Sequence, residues 1–210
     1  MSKIDDIAKA VESGKSKVAE GLVTEALSEG IDPVKILNEG LLQAMDRVGG
    51  RFQKGEVFVP EMLIAARAMK KGMGILEPKL VGKATATMGK CIIGTVHGDL
   101  HDIGKNLVAL MIESNGFEVI DLGADVSVDA FVKAIKDNPG VKVVALSCLL
   151  TTTMPAMKET VEAIKAMGLS GLKLMVGGAP ITQEFADHVG ADGYSPDAGS
   201  AGQLAKKLAA

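Results

Sequence analysis

The chain has 210 residues, of which 47% are hydrophobic and 23% charged, with a net charge of −3 at neutral pH. That length supports one or two domains with cores of their own. The near-balanced charge, the single Tyr and the lack of Trp leave neither a basic stripe nor a stacking platform for nucleic acid. No apolar run approaches the ~20 residues that cross a bilayer, and the amino terminus carries no signal-like apolar core, so a cytoplasmic protein with no nucleic-acid or membrane partner is expected.

The first 80 residues have a helical period. Apolar side chains recur at three- and four-residue spacing near 3–13, 16–29, 33–50 and 60–80, as in Ile36, Leu37, Leu41, Leu42, Met45 and Val48. Asp32-Pro33 and Pro60 are helix starts with proline in the first turn. Four helices with short connections predict a bundle, with Gly14, Gly30, Gly49-Gly50 and Gly55 assigned to the turns. Met62, Met69 and Met73 stand 7 and 4 residues apart, which puts them on one helix face and points to core packing rather than a soft metal site. Lys70-Lys71 reads as a solvated face. Arg51 to Pro60 differs, because it places apolar side chains, Phe52, Val57, Phe58 and Val59, in a turn before a proline-started helix. The small, polar run Val81–Gly89 reads as a linker, giving a helical domain over 1–88 and a second domain over 89–210.

The second domain opens on Lys90 to Val96, a β-branched apolar run that predicts a buried parallel strand. Ile103, Leu107, Leu110 and Met111 follow at helical spacing, and Asn115-Gly116 supplies a stop. The intervening loop, Gly98-Asp99-Leu100-His101-Asp102-Ile103-Gly104, therefore lies at the carboxyl end of a strand, where doubly wound sheets bind ligands. Asp99 and His101 alternate onto one side of an extended segment. The carboxylate can accept a hydrogen bond from one ring nitrogen, leaving the other to ligate a metal. Gly104 lets the first helical turn lie close under something bulky.

Two further strands end in special residues on the same sheet edge: Val141 to Leu146 runs into Ser147-Cys148-Leu149, and Leu172 to Val176 into Gly177-Gly178. Forty-two residues separate Gly104 from Ser147, and 27 separate Leu149 from Gly177. Cys91 and Cys148 form neither a Cys-x-x-Cys pair nor a disulfide framework and read as buried, reduced thiols, with alternation turning Cys148 away from its two neighbours. His188 is an ordinary helix-end residue, and His97 is expected to face solvent.

Order, residue types and gaps together resemble the cobalamin-binding signature Asp-x-His-x-x-Gly, Ser-x-Leu, Gly-Gly. The resemblance covers nearly the whole chain: residues 90–210 are similar to the Rossmann-like corrinoid-binding domain, and residues 1–85 to the helical cap joined to it in cobalamin-dependent methionine synthase and in small corrinoid proteins of methyltransferase systems. It implies a flavodoxin-type, five-stranded parallel sheet preceded by a four-helix bundle. It also implies a cobalamin or related cobamide, carried in a methylcobalamin form, with His101 as the lower axial ligand of cobalt.

The same resemblance assigns the other site residues. Gly98, Asp99, Asp102, Ile103 and Gly104 belong to the loop under the corrin. Ser147, Gly177, Gly178 and Ala179 would line a slot for the displaced nucleotide base, and Leu149 and Thr151 are further cofactor-binding candidates. Asp99 and Thr153 would relay to His101, Thr153 being the hydroxyl six positions beyond the motif serine, with Thr151 and Thr152 as neighbouring candidates. Phe52 and Val59 correspond to a phenylalanine and a leucine that shield the upper corrin face, the leucine being valine here. The implied role is a methyl carrier between a substrate-specific methyltransferase, using methanol, a methylamine or a methoxylated aromatic, and a second methyltransferase that serves tetrahydrofolate or a coenzyme thiol, with a reductive activating protein.

Three rival readings share parts of this pattern. A metallohydrolase would use His97, Asp99 and His101 as a divalent-metal set but gives no reason for the serine and glycine motifs. A subunit of an adenosylcobalamin-dependent isomerase has no need of the helical cap, and a cobalamin-based sensor would carry a basic DNA-binding helix that this sequence lacks.

Overall fold

The computed structural model describes residues 2–80 and 88–210 and divides into two compact units, Met1–Ala86 and Thr87–Ala210. Most of the linker read at Val81–Gly89 lies outside the described residues.

The first unit is helical: α1 (Lys3–Glu12), α2 (Ser16–Ser28), α3 (Pro33–Lys35), α4 (Gln43–Gln53) and α5 (Val59–Leu80). Ser2 starts α1 with a reciprocal cap, its hydroxyl accepting from the Asp5 N–H while the Asp5 carboxylate accepts from the Ser2 N–H. Ile7, Val11, Val23, Leu37, Leu41 and Met62 are buried at the centre, and Met69 with them, whereas Met73 is half-buried.

Two local departures from the sequence expectation have physical causes. The third predicted helix does not run as uniform α-helix, because Ile36–Leu42 between α3 and α4 is π-helical, and the Gln43 N–H reaches back five residues to the Asn38 carbonyl. Asn38 and Gly40 are weak helix formers, and Gly40 is buried so close to α1 that a Cβ there would lie 3.2 Å from Ile7 Cγ2. Gly49 and Gly50 lie inside α4 rather than in a turn. Their intrinsic cost of about 1 kcal/mol each is offset because α4 buries Ala44, Met45, Val48 and Gly49 itself. The turn falls instead at Gly55, which takes a φ of 72°.

The second unit alternates strand and helix: β1 (Gly89–Thr95), α6 (Ile103–Ser114), β2 (Phe117–Asp121), α7 (Val128–Asp137), β3 (Val141–Ser147), α8 (Met154–Ala166), β4 (Lys173–Gly177), α9 (Gln183–Val189), β5 (Gly193–Ser195) and α10 (Ala198–Ala209). All four strand pairings are parallel, in the order β2-β1-β3-β4-β5, which is the five-stranded flavodoxin-type sheet expected. Strand alternation divides the core in two. Cys91, Ile93, Val143, Ala145 and Met175 pack with Ile112 of α6 and Ala201 and Ala205 of α10. On the other face, Ile92, Val144, Leu146, Leu174 and Val176 pack with Phe131, Val161 and Ala186 of α7, α8 and α9. Chain order reverses between β1 and β3, and the crevice at such a switch point is where these sheets take ligands.

Phe131 is fully buried, and Gly94 admits its ring, because a Cβ on Gly94 would stand 2.7 Å from Phe131 Cζ. Phe131→Ala should therefore lower the stability of the second unit by about 3–5 kcal/mol. Urea unfolding followed by the fluorescence of Tyr194, which lies in β5, reads that unit selectively. Gly94→Ala should destabilise by overpacking, and combining it with Phe131→Leu should recover part of the loss.

Candidate functional site

Four residues at the carboxyl edge of the sheet stand in register across four strands: Thr95 pairs with Ser147, Ser147 with Gly177, and Gly177 with Ser195. Two residues earlier, Ile93, Ala145 and Met175 form the rung beneath. Ile93, Ala145, Met175, Ser147, Gly177 and Ser195 line a cavity of about 600 Å³, which α6 and α10 close from one side with Val108 and Ala201. Small residues keep it open. Gly178, with a φ of 128°, approaches the β3 end so closely that a Cβ would fall 1.7 Å from the Cys148 carbonyl oxygen. Its glycine is thus demanded by the protein's own backbone, not only by a ligand.

At the mouth, Asp99 is fully buried and accepts five hydrogen bonds. Oδ1 takes the His101 N–H at 3.1 Å and His101 Nδ1 at 2.7 Å. Oδ2 takes the Leu149 N–H at 2.7 Å, the Leu150 N–H at 3.3 Å and the Thr153 hydroxyl at 2.9 Å. Burial by itself would raise the pKa of this carboxyl, but the bonds from the Leu149 backbone, the His101 ring and backbone, and Thr153 outweigh it and hold the group well below the usual carboxylate range. An ionised Asp99 makes His101 Nδ1 the donor, so the acceptor face of the ring is Nε2. The His101 side chain is 51% exposed, and the Thr95 hydroxyl fixes its backbone by donating to the His101 carbonyl at 2.8 Å.

Thr153 has one hydroxyl proton but two acceptors at 2.9 Å, Asp99 Oδ2 and the Leu150 carbonyl. The Cys148 thiol lies 3.1 Å from that carbonyl and is a second donor for it. Burial pushes the Cys148 pKa up, so the thiol keeps its proton. Cys91 is likewise a buried thiol, its pKa pushed by burial up to about 12.

Of the residues expected to form the site, His101, Asp102, Ile103, Gly104, Ser147, Leu149, Gly177, Gly178 and Ala179 all line the cavity. Asp99 and Thr153 stand behind them as described. Gly98 belongs to the loop but not to the cavity lining, and Thr151 is exposed, leaving Thr153 as the hydroxyl bonded to Asp99. Phe52 is half-buried and Val59 is 37% exposed in the helical unit, where Phe58 is more exposed at 65%. His188 is exposed at the end of α9. His97 turns to Asp125 at 2.8 Å, and among the described residues no three His, Cys, Asp or Glu side chains converge as a metal set. No described helix is long and apolar enough to cross a membrane.

Several neighbours escaped the sequence reading: Thr95, Leu100, Lys105, Ser195 and Asp197. The Lys105 ammonium is almost fully buried and bonded to both Asp121 oxygens and to Asn106 Oδ1, tying the first turn of α6 to the end of β2. Asp197 caps α10 by accepting the Ser200 N–H at 2.8 Å, and Ser195 donates to the Asp197 carbonyl at 2.7 Å.

Residues 89–201 match the family described as "B12 binding domain", and residues 3–77 match a second family of the same description. Trimethylamine corrinoid protein 2 of Methanosarcina acetivorans is 44% identical over 203 residues, 93% of each chain. The chain belongs to the B12-binding corrinoid protein family. Two solved structures bear on the fold of this corrinoid protein. A cobalamin-binding protein from Desulfitobacterium hafniense DCB-2 is 33% identical with a TM-score of 0.78, covering 98% of both chains. The methanol:cobalamin methyltransferase complex of Methanosarcina barkeri is 28% identical with a TM-score of 0.84, covering 99% of this chain and 79% of that one.

The residues around the cavity suit a corrinoid. Leu100, Ile103 and Leu149, which line the cavity with His101, leave 77%, 87% and 42% of their surface exposed, apolar surface that a flat macrocycle would cover. A Cβ on Gly104 would meet nothing within 4 Å, so the protein itself does not account for that glycine, whereas a closely laid ring would.

Because the folded Asp99 pKa is depressed, its ionised form stabilises the fold at pH values above the unfolded value of about 3.9, and that contribution is lost as pH falls through the lower folded value. Asp99→Asn should cost on the order of 3 kcal/mol at neutral pH. Denaturation at several pH values should show the gap to wild type constant above about pH 5 and shrinking below about pH 4.

Proposed function

We propose that this corrinoid protein is a cytoplasmic methyl carrier in which His101 Nε2 would ligate the cobalt of the bound corrinoid. When bound, the corrinoid supplies a metal that accepts and releases a methyl group. The observation that carries the reading is the His101 ring held through Nδ1 by the buried, five-fold bonded Asp99 at the cavity mouth, since a carboxylate behind a histidine fixes its tautomer, orients it and raises its basicity as a ligand. The Thr153 hydroxyl keeps the Asp99 charge in place. Gly177, Gly178, Ala179 and Ser147 would receive the displaced nucleotide tail, the small residues admitting it and the hydroxyl bonding it.

The proposed donor is a methylated amine or methanol presented by a substrate-specific methyltransferase. One of the similar proteins is named for trimethylamine, and another lies in a complex that is a methanol:cobalamin methyltransferase. A second methyltransferase, serving tetrahydrofolate or a coenzyme thiol, and a reductive activating protein complete the proposed system. Phe52 and Val59 enter this reading on the family resemblance, as the residues that shield the bound methyl group.

Reconstituted wild type should hold about one cobalt per chain, and His101→Ala should shift the axial-ligand bands of its visible spectrum. Identical spectra would remove His101 from the metal, and stoichiometric zinc without corrinoid uptake would favour hydrolase chemistry. Replacing both Phe52 and Val59 with Ala should speed photolysis of the cobalt–carbon bond while corrinoid retention is kept. An unchanged photolysis rate in a folded double variant would mean that the two side chains only pack the bundle.

A further inference from the structure

Asp125 is the one non-glycine residue among those described with a left-handed backbone, at a φ of 54°. Aspartate tolerates that region better than most residues, but the conformation is strained and persists only where the surroundings over-determine it. Here they do. The Asp125 Oδ1 accepts the Gly98 N–H at 2.7 Å and His97 Nδ1 at 2.8 Å, and the Asp125 N–H donates to the Asp99 carbonyl at 2.9 Å. The next residue continues the attachment, the Val126 N–H donating to the Thr95 carbonyl at 2.9 Å. The segment after β2 thus grips the His97–Gly98 peptide through its N–H and the Asp99–Leu100 peptide through its carbonyl, the two peptides that bracket Gly98 and Asp99. Gly98, whose own φ is 81°, makes the turn that this grip holds.

We propose that Asp125 is a positioning residue for the cobalt-ligand relay: by fixing the Gly98 and Asp99 peptides from outside, it sets the Asp99 carboxylate and, through it, the direction in which His101 presents Nε2. The proposal rests on the His101 reading above. Asp125 is not among the residues that line the cavity, its bonds go to Gly98, His97 and Asp99, and it acts through the loop. The left-handed backbone and a side-chain oxygen acceptor are both needed. A residue that relaxed to ordinary φ would carry its N–H away from the Asp99 carbonyl, and one without a side-chain acceptor would release the Gly98 N–H.

The test separates these elements. Asp125→Gly keeps the backbone conformation and deletes the acceptor, whereas Asp125→Asn keeps both a left-handed tolerance and a carbonyl acceptor. In the full-length apo protein, amide hydrogen exchange is read at His101 and Leu149, whose N–H groups both end on the Asp99 carboxylate, with the Phe185 amide, capped by Thr182, as a remote control. Exchange at His101 and Leu149 should be about tenfold faster in the glycine variant, near wild type in the asparagine variant, and unchanged at Phe185. The dissociation constant for hydroxocobalamin should rise about tenfold in the glycine variant, with a weakened axial-histidine band. Asp125→Ala, which also lacks an acceptor, carries the same expectation and takes its place where the glycine variant fails to fold. Wild-type exchange at both amides in the glycine variant, equal acceleration at Phe185, or an asparagine variant as impaired as the glycine one would each overturn the proposal. Wild type that takes up no hydroxocobalamin would overturn the methyl-carrier reading, while the exchange comparison still decides whether Asp125 positions the loop.

Discussion

Everything at the sheet edge depends on one buried negative charge. A carboxylate removed from water is expensive unless donors surround it, and Asp99 finds five of them on two separate stretches of chain: its own loop through His101, and the segment after β3 through Leu149, Leu150 and Thr153. The charge therefore does two things at once. It closes the β1–α6 loop against the β3–α8 connection, and it settles which nitrogen of His101 faces outward. Remove the charge and the His101, Leu149 and Leu150 N–H groups lose their acceptor together, which is why the loop geometry and the direction of the His101 ring are a single property.

The second constraint is register. Thr95, Ser147, Gly177 and Ser195 lie side by side because parallel pairing aligns the ends of four strands, and a slip of one residue would turn each to the opposite face. The cavity below exists because that aligned edge is built from small residues while the next rung supplies Ile93, Ala145 and Met175 as an apolar floor. A polar rim over an apolar floor suits a ligand with a polar periphery and an apolar body. The same alternation sends Cys148 to the α8 side of the sheet, among Leu146, Met157 and Val161.

Much of this was legible in the sequence because each strand-end motif is local. The loop from Gly98 to Gly104, the Ser147-Cys148-Leu149 run and the Gly177-Gly178 pair each declare a strand terminus within a few residues, and helical period located the helices of the first unit. What the sequence hid are partners brought in across the fold. Thr95 looks like an ordinary strand threonine until its hydroxyl meets the His101 carbonyl. Asp125 lies 27 residues from Gly98, and only tertiary structure sets its φ. Lys105 reads as a helix-surface lysine, yet its side chain is buried against Asp121. Cys148 was read correctly as a buried thiol, but its contact with Thr153 Oγ1 at 3.2 Å follows from the short 3₁₀ turn Thr151–Thr153, a feature without periodicity. The π-helical stretch in the first unit leaves only a faint trace: the buried positions recur at strict four-residue intervals, Ile36, Gly40, Ala44 and Val48 beside Leu37, Leu41, Met45 and Gly49, a spacing so close to 3.6 that it reads as ordinary α-helix.

Burial is distributed unevenly across this hydrogen-bonded set. Asp99 and Cys148 are fully buried and Thr153 nearly so, whereas half of the His101 side chain is exposed. A group that orients must itself be held, and a ring that is to meet a bound group must stand clear of the protein. Because the donors to Asp99 come from the folded chain, the cost of placing its charge is met on folding, before any ligand arrives. The ring therefore loses little further freedom when it binds, and preorganisation of this kind raises affinity by lowering the entropy lost on association. The exposed apolar side chains around the ring, Leu100 and Ile103 above all, add the complementary term: they are left in water by the fold and gain from any flat apolar surface that covers them.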